Sequence, residues 1–196
     1  MRLVPVLLSA VLLAPSLALA QTDTDAKKPA PRAPSAPQAD GARSPTFRSE
    51  IGGEVVIGER APDFELDGSD GRTTRLSRLR GDWVLLVFGS RKEELAGLGK
   101  IVSESREIGM QVVGVTHEKT YFLRAWSGKE KIPFLVLADE TCEVSATFGL
   151  YDSDRRTITS GFVLLDRDGI VRLALLGRRL PDQEIFELSR FTITGS

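Results

Sequence analysis

The chain has 196 residues, 41% of them hydrophobic, with 26 basic and 27 acidic side chains and a formal net charge of −1. This balance excludes the basic surplus that is typical of nucleic-acid-binding proteins, so we expect no nucleic-acid partner. One cysteine and one histidine also exclude an intrachain disulfide framework and a zinc site built from Cys and His ligands. We therefore expect no metal centre and no cofactor.

Residues 1–20 have the pattern of a secretory signal peptide. Arg2 precedes a long apolar stretch, and the small residues Ala18 and Ala20 precede Gln21. The pattern predicts export, with cleavage between Ala20 and Gln21. A membrane anchor is the alternative, but prolines interrupt the apolar stretch, so we expect no stable membrane span once the signal is removed.

Residues 21–52 form a segment rich in proline and alanine. Five of the ten prolines of the chain lie in it, and Phe47 and Ile51 are its large apolar residues. Such a segment buries too little apolar surface to offset the entropy of ordering, so we predict a disordered linker. The remaining residues, 53–196, are enough for one domain with its own hydrophobic core.

The first elements of this domain are predicted to be a β-hairpin and a buried strand. Segments 63–66 and 72–75 flank a turn rich in Asp and Gly, which favours a hairpin. Residues 76–81 predict a single helical turn that ends at Gly81. Residues 84–88 are continuously apolar, which is typical of a strand covered on both faces.

A helix is predicted directly after this strand. Ser90 and Glu93 have the spacing of a capping box, in which each side chain bonds a free amide at the helix start. Apolar residues then recur at helical spacing as far as Gly109. Gly97 and Gly99 weaken the helix, which indicates a close approach by another element or a helix held by packing.

The rest of the chain alternates between strands and helices, as in α/β proteins. A helix over 119–128 is predicted to bury Tyr121, Phe122, Ala125 and Trp126, and the last helix, which starts at Pro181, is predicted to bury Ile185, Leu188 and Phe191. The other predicted elements are strands 111–116 and 134–138, a helix over 140–148, and the strands 161–165 and 170–175 of a hairpin. This order predicts a central mixed sheet with helices on both faces.

Several segments resemble the peroxiredoxins, the alkyl hydroperoxide reductase and thiol-specific antioxidant proteins. These segments are VIGERAPDFEL at 56–66, LSRLRGDWVLLVF at 76–88, VVGVT at 112–116 and FVLLDRDG at 162–169. The resemblance covers about residues 55–190 and implies a thioredoxin-like fold with an N-terminal β-hairpin extension. It also implies antioxidant oxidoreductase activity and, together with the signal peptide, a periplasmic or secreted location.

The residues that carry the chemistry of that family are missing from this chain. The family places a cysteine at the corner between a buried strand and the next helix, in a Pro-x-x-x-Thr-x-x-Cys or a Cys-x-x-Cys motif. A helix start and a nearby cation lower the pKa of that thiol, and the thiolate is the nucleophile. Where the family has an arginine before a later strand, this chain has Thr159. The corner here contains Gly89, Ser90, Arg91, Lys92, Glu93 and Ala96.

The sequence offers one catalytic candidate, Cys142, at the start of a predicted helix. A helix start favours a thiolate, whereas the nearby acidic residues Asp139, Glu140 and Glu143 raise the pKa of a thiol. A structural thiol and a reactive thiol therefore both remain open. As an unpaired cysteine of an exported chain, Cys142 could also link two copies in a disulfide-bonded dimer.

Two further sites are candidates for binding. Arg91 and Lys92 lie at the start of the predicted helix, where they could hold an anion or be simply solvated. His117 follows a buried strand at the edge where open α/β sheets bind ligands, and the alternative is an exposed residue at a helix start.

The leading hypothesis is an exported peroxiredoxin-like domain that has lost its thiol chemistry and binds an unknown exported protein partner or serves as a scaffold. The alternative is a thiol-dependent antioxidant oxidoreductase that reduces peroxide or disulfide through Cys142.

Overall fold

The structure is a computed structural model that describes residues 55–195. The predicted signal peptide (1–20), its cleavage site at Ala20 and Gln21, and the predicted linker (21–52) lie outside the described residues. Among residues 55–195, no helix is both long enough and apolar enough to cross a membrane.

Seven strands form one mixed sheet in the order β2-β1-β5-β4-β3-β8-β9. Strands β3, β4 and β5 are parallel, and the other pairings, β1–β2, β1–β5, β3–β8 and β8–β9, are antiparallel. The strands are β1 (Glu65–Gly68), β2 (Thr73–Arg75), β3 (Trp83–Phe88), β4 (Met110–Thr116), β5 (Leu135–Ala138), β8 (Gly161–Leu165) and β9 (Val171–Leu175). The predicted mixed sheet and the N-terminal hairpin, β1 with β2, are confirmed.

Helices cover both faces of this sheet, as the sequence predicts. The α-helices are α1 (Lys92–Leu95), α2 (Val102–Glu107), α3 (Thr120–Glu130), α4 (Glu143–Thr147) and α5 (Asp182–Thr194). The side chains of β3 point alternately to the two faces of the sheet, and both faces are covered. Leu85 and Val87 pack on one face with residues of α1, α2, α3 and α5. Leu86 and Phe88 pack on the other face with residues of α4 and of a 3-10 turn at Leu76–Leu79.

The predicted single helix over 90–108 is wrong. The segment is broken into α1, a 3-10 stretch at Ala96–Lys100, and α2. The break lies where α5 begins, because the carboxylate of Asp182 contacts Gly97 so closely that a β-carbon there would overlap it. The close approach that the glycines indicate is therefore real, and it comes from α5.

The predicted inner faces of two helices are correct only in part. In α3, Leu123 is fully buried and Trp126 is half-buried, whereas Tyr121, Phe122 and Ala125 are exposed. The reason is that the contact of a helix with the sheet covers a narrow stripe, and in α3 this stripe is centred on Leu123.

Helix α5 shows a similar difference. It buries Ile185, Phe186 and Ser189 and leaves Leu188 and Phe191 exposed. A short two-stranded sheet was not predicted from the sequence; it consists of β6 (Tyr151–Asp152) and β7 (Thr157–Ile158).

Candidate functional site

The candidate site is the corner where β3 ends and α1 begins. Gly89 continues the parallel pairing, since its amide donates to the Val115 carbonyl at 3.0 Å. Helix α1 begins at Lys92, and Arg91, with extended backbone, precedes it without a side-chain cap. The predicted capping box of Ser90 and Glu93 is therefore wrong, because the helix begins two residues later than Ser90.

The centre of the corner is the carboxylate of Glu94. Ser90 donates to it twice, from Oγ to Oε1 at 2.7 Å and from its amide to Oε2 at 3.2 Å. Ser160, just before β8, donates from Oγ to Oε2 at 3.1 Å. The Arg91 guanidinium adds an ion pair at 3.7 Å. One carboxylate thus joins the turn after β3 to the start of β8.

These contacts also determine the charge of Glu94. Its side chain is 25% exposed, and this burial by itself would raise its pKa. The hydrogen bonds from the Ser90 and Ser160 hydroxyls and from the Ser90 amide, with the Arg91 charge, outweigh burial and hold the pKa of Glu94 below its usual value. Hydrogen bonds to the charged form of an acid favour ionisation. The corner therefore holds a fixed negative charge.

Lys92 joins the corner to the end of β4. Its ammonium nitrogen lies 2.8 Å from Oε2 of Glu118 and 3.0 Å from Oε1 of Glu93, and its amide donates to Glu118 at 3.2 Å. The hydrogen bonds to Glu118 and Glu93 raise the pKa of Lys92, although partial burial acts in the opposite sense.

Both cations of the proposed anion site thus already contact carboxylates, Lys92 those of Glu118 and Glu93 and Arg91 that of Glu94. An anion at Arg91 and Lys92 remains a prediction, and it would compete with these internal partners.

At the positions where the family carries its motif, this chain has residues that supply no thiol nucleophile. Gly89 is buried, and a β-carbon there would lie 3.1 Å from Leu95. Ala96 is exposed at the start of the 3-10 stretch. Thr159, in the place of the family's arginine, donates its amide to the Leu150 carbonyl at 2.7 Å. The nearby Arg155 pairs with Asp152 of its own hairpin at 3.7 Å. The corner therefore offers hydrogen bonds and charge, without a thiol.

Cys142 lies in a different environment, in the apolar cluster beneath α4. The residue is 8% exposed, and its backbone is left-handed, with φ of 59°. Burial raises the pKa of its thiol, and the Asp139 charge raises it further. Asp139 itself caps α4, since its carboxylate accepts the Ser145 amide at 2.7 Å and the Ser145 hydroxyl at 2.6 Å. The surroundings of Cys142 stabilise a neutral thiol.

His117 follows β4 directly and is half-buried. Its Nδ1 atom is buried and has no hydrogen-bond partner among the residues that the structure describes. The neighbouring Glu118 is bonded to Lys92. Within the same described range, no group of three or more His, Cys, Asp or Glu side chains could hold a metal ion.

Three residues of the corner were not predicted from the sequence: Glu94, Glu118 and Ser160. Glu94 stands only four residues after Ser90, and this short separation is a local signal that could have found it. Glu118 and Ser160 are 26 and 66 residues away from their partners, and no pattern along the chain reports such a contact.

Comparison with known proteins agrees with this fold. The model of the AhpC/TSA family matches residues 57–174, more than half of the chain. The chain is 29% identical over 134 residues to the selenocysteine-containing peroxiredoxin PrxU of Peptoclostridium acidaminophilum, which covers 60% of this chain and 66% of that protein. It is 27% identical over 155 residues to the chloroplastic peroxiredoxin Q of Suaeda salsa, which covers 74% of this chain and 72% of the relative.

Solved structures resemble the chain in the same way. Peroxidoxin BcpB of Mycobacterium tuberculosis superposes with a TM-score of 0.64 at 19% identity and covers 72% of this chain and 98% of its own. AhpC of Enterococcus faecalis superposes with a TM-score of 0.62 at 22% identity and covers 72% of this chain and 97% of its own. Similarity at these identities shows the fold alone. The family match over 57–174 and the structural similarity lead to one conclusion: the chain belongs to the AhpC/TSA family and has a thioredoxin-like fold.

Proposed function

We propose that this chain is an exported member of the AhpC/TSA family that performs no thiol chemistry and serves as a binding or scaffold module. The observation that carries the proposal is the Glu94 carboxylate at the corner, bonded to both Ser90 and Ser160. A reactive corner needs a nucleophile that can leave its resting contacts and attack. The Glu94 carboxylate instead accepts hydrogen bonds from within the protein. A carboxylate also cannot undergo the oxidation and reduction that a thiol undergoes.

The chain's one thiol supports the same proposal. Thiolates, not thiols, attack peroxides and disulfides. Cys142 is buried, and its pKa is raised by burial and by Asp139. Peroxidatic cysteines need the opposite conditions, exposure and a nearby cation.

Export is part of the proposal and rests on residues 1–20, which have the order of charged, apolar and small residues of a cleaved signal. Mass spectrometry of protein from the cell envelope or the medium tests it, with Gln21 expected as the first residue. A retained residue 1 would contradict export by cleavage.

The alternative function is thiol-dependent antioxidant reduction through Cys142, working on peroxide or disulfide. The names of the relatives favour it, since both PrxU and peroxiredoxin Q are peroxiredoxins. For this chain, the alternative function requires that the region around α4 open and expose Cys142, because Cys142 is buried in the structure.

The experiment that separates the two is hydrogen peroxide consumption by the chain from residue 21, with dithiothreitol as reductant. Cys142→Ser is the matched variant, since it replaces the sulfur alone. We expect both proteins to consume no peroxide above the buffer rate. Consumption that is lost in Cys142→Ser would overturn the proposal and establish the alternative.

A further inference from the structure

Helix α3 presents two large aromatic side chains to solvent. Tyr121 is 74% exposed and Phe122 is 55% exposed. Their rings contact each other edge to face, with centroids 5.3 Å apart. Exposed aromatic residues in mutual contact are typical of the centre of protein interfaces, since they bring a large apolar area at low conformational cost.

Cations without ion-pair partners lie on this helix and at its two caps. Among residues 55–195, Lys119, Arg124 and Lys131 take part in no ion pair. This differs from Lys92, which lies against Glu118 at 2.8 Å. We call the five residues Lys119, Tyr121, Phe122, Arg124 and Lys131 the α3 surface. It combines an apolar centre with three cations that have no ion-pair partner among the described residues, and Glu140 lies at its edge, where its carboxylate accepts from Thr120 at 2.9 Å.

Two pockets that share Ser69 and Asp70 lie beside this surface, and we call them the upper and lower parts of one groove. Its upper part, about 650 Å³, is lined by Tyr121 and Arg124 on α3 and by Ser69 and Asp70 in the β1–β2 turn. Ser69 and Asp70 also line a lower part of about 630 Å³. The lower part adds the apolar side chains of Ile132 and Phe134 and the side chain of Arg106, whose guanidinium donates to the Pro133 carbonyl at 2.8 Å.

Cations outnumber carboxylates in the groove by two to one. Arg124 lines the upper part and Arg106 the lower part. Of the residues that the structure describes, Asp70 is the one carboxylate in the lining; it lines both parts, and its Oδ1 accepts the Arg72 amide of its own turn at 3.0 Å. An acidic chain along the groove would therefore meet one cation in each part and one carboxylate where the parts join.

We propose that the α3 surface and its groove bind an acidic, extended segment of a partner protein. Acidic side chains of the segment pair with Arg124 and Arg106, and an apolar side chain packs on Tyr121 or enters beside Ile132. Charge complementarity of this kind determines partner choice and association rate. The groove is concave, which suits an extended chain better than the flat surface of an anionic membrane. This inference rests on the proposed function, of which it names the binding surface and the partner class.

The test is a titration of the ¹⁵N-labelled chain from residue 21 with a short synthetic peptide of Glu residues interspersed with Leu and Pro. A peptide with Lys in place of every Glu is the control ligand. We expect amide shifts from the acidic peptide to concentrate at residues 119–131 and 69–71. Tyr121→Ala and Arg124→Glu should each weaken binding about tenfold, which is the loss typical of central interface residues.

Arg78→Glu is the matched control for charge, because Arg78 is also exposed and lies in the 3-10 turn on the opposite face of the sheet. It should leave the affinity unchanged. Each variant is first compared with the parent by its amide spectrum, so that a loss of fold is not read as a loss of binding. Equal binding of the Lys peptide, shifts elsewhere, or an equal loss in Arg78→Glu would overturn the proposal.

Two further results separate this proposal from others. Binding to vesicles of phosphatidylcholine and phosphatidylglycerol, with none to the acidic peptide, would reassign the surface to a membrane and overturn the protein partner. Failure of the peptide titration in a chain that consumes no peroxide overturns the α3 surface and leaves the loss of thiol chemistry intact. Peroxide consumption through Cys142 would instead overturn the proposed function, whatever the titration shows.

Discussion

Ser90 bonds the Glu94 carboxylate with both its hydroxyl, at 2.7 Å, and its amide, at 3.2 Å. The serine therefore orients the carboxylate across the turn between β3 and α1, and the Ser160 hydroxyl holds the same carboxylate from the side of β8. In the AhpC/TSA family this corner is the place of a catalytic thiol. Here the same backbone turn holds an internal anion with its own donors.

Replacing Glu94 by alanine should destabilise the domain. The change leaves the Ser90 and Ser160 hydroxyls without their acceptor in a partly buried corner, which costs about 1–3 kcal/mol in the free energy of unfolding. Urea denaturation measures the loss. Glu93→Ala is the control, because Glu93 is 60% exposed and its removal should change stability by no more than about 0.5 kcal/mol. Equal effects of the two changes would show that Glu94 does not organise the corner.

The depressed pKa of Glu94 predicts a pH dependence of stability. The unfolded chain takes up the proton near the ordinary Glu value of 4.5, whereas the folded chain takes it up at a lower pH. The stabilisation is therefore complete above the ordinary value and is lost as the pH falls through the lower folded value. Urea denaturation from neutral to acid pH should show a steeper decline for the parent than for Glu94→Gln. Parallel pH profiles would contradict the assignment.

The Cys142 thiol should react slowly in the folded protein. Burial and the Asp139 charge raise its pKa, so the thiolate is scarce at neutral pH and the sulfur is covered. We expect labelling by a disulfide reagent to be about tenfold or more slower in the native chain than in the chain unfolded in urea. Labelling at the same rate in both would show that Cys142 is open to reaction, and would favour the alternative function.

Gly97→Ala should destabilise the protein even though alanine favours helix. The new β-carbon would overlap the Asp182 carboxylate, and overpacking of this kind costs about 1–3 kcal/mol. Gly128→Ala in α3 is the matched control, since nothing lies within 4 Å of the position its β-carbon would take. That change should stabilise by about 0.5–1 kcal/mol. Denaturation midpoints compare the two, and a stabilising Gly97→Ala would show that α5 does not contact the 3-10 stretch.

The order of strands and helices could be predicted from the sequence because it depends on local patterns. Continuous apolar runs predicted β3, β4 and β8, and the Asp-Gly turns predicted both hairpins, which the structure confirms. The inner face of α3 could not be predicted in the same way. Tyr121, Phe122 and Leu123 are all large side chains with extensive apolar surface, and only the position of the helix against the sheet decides which of them is covered.

The sequence by itself determined the family, the fold class and the lack of a thiol at the corner, since these depend on which residues occur and in what order. Only the tertiary structure decided what fills the corner instead. Glu94 acquires its role in part from Ser160, which is 66 residues away, and the lack of a side chain at Gly97 leaves room for the Asp182 carboxylate of α5. The physical reason is that hydrogen bonds and steric overlap act over a few ångströms in space, and folding alone brings such distant residues within that range.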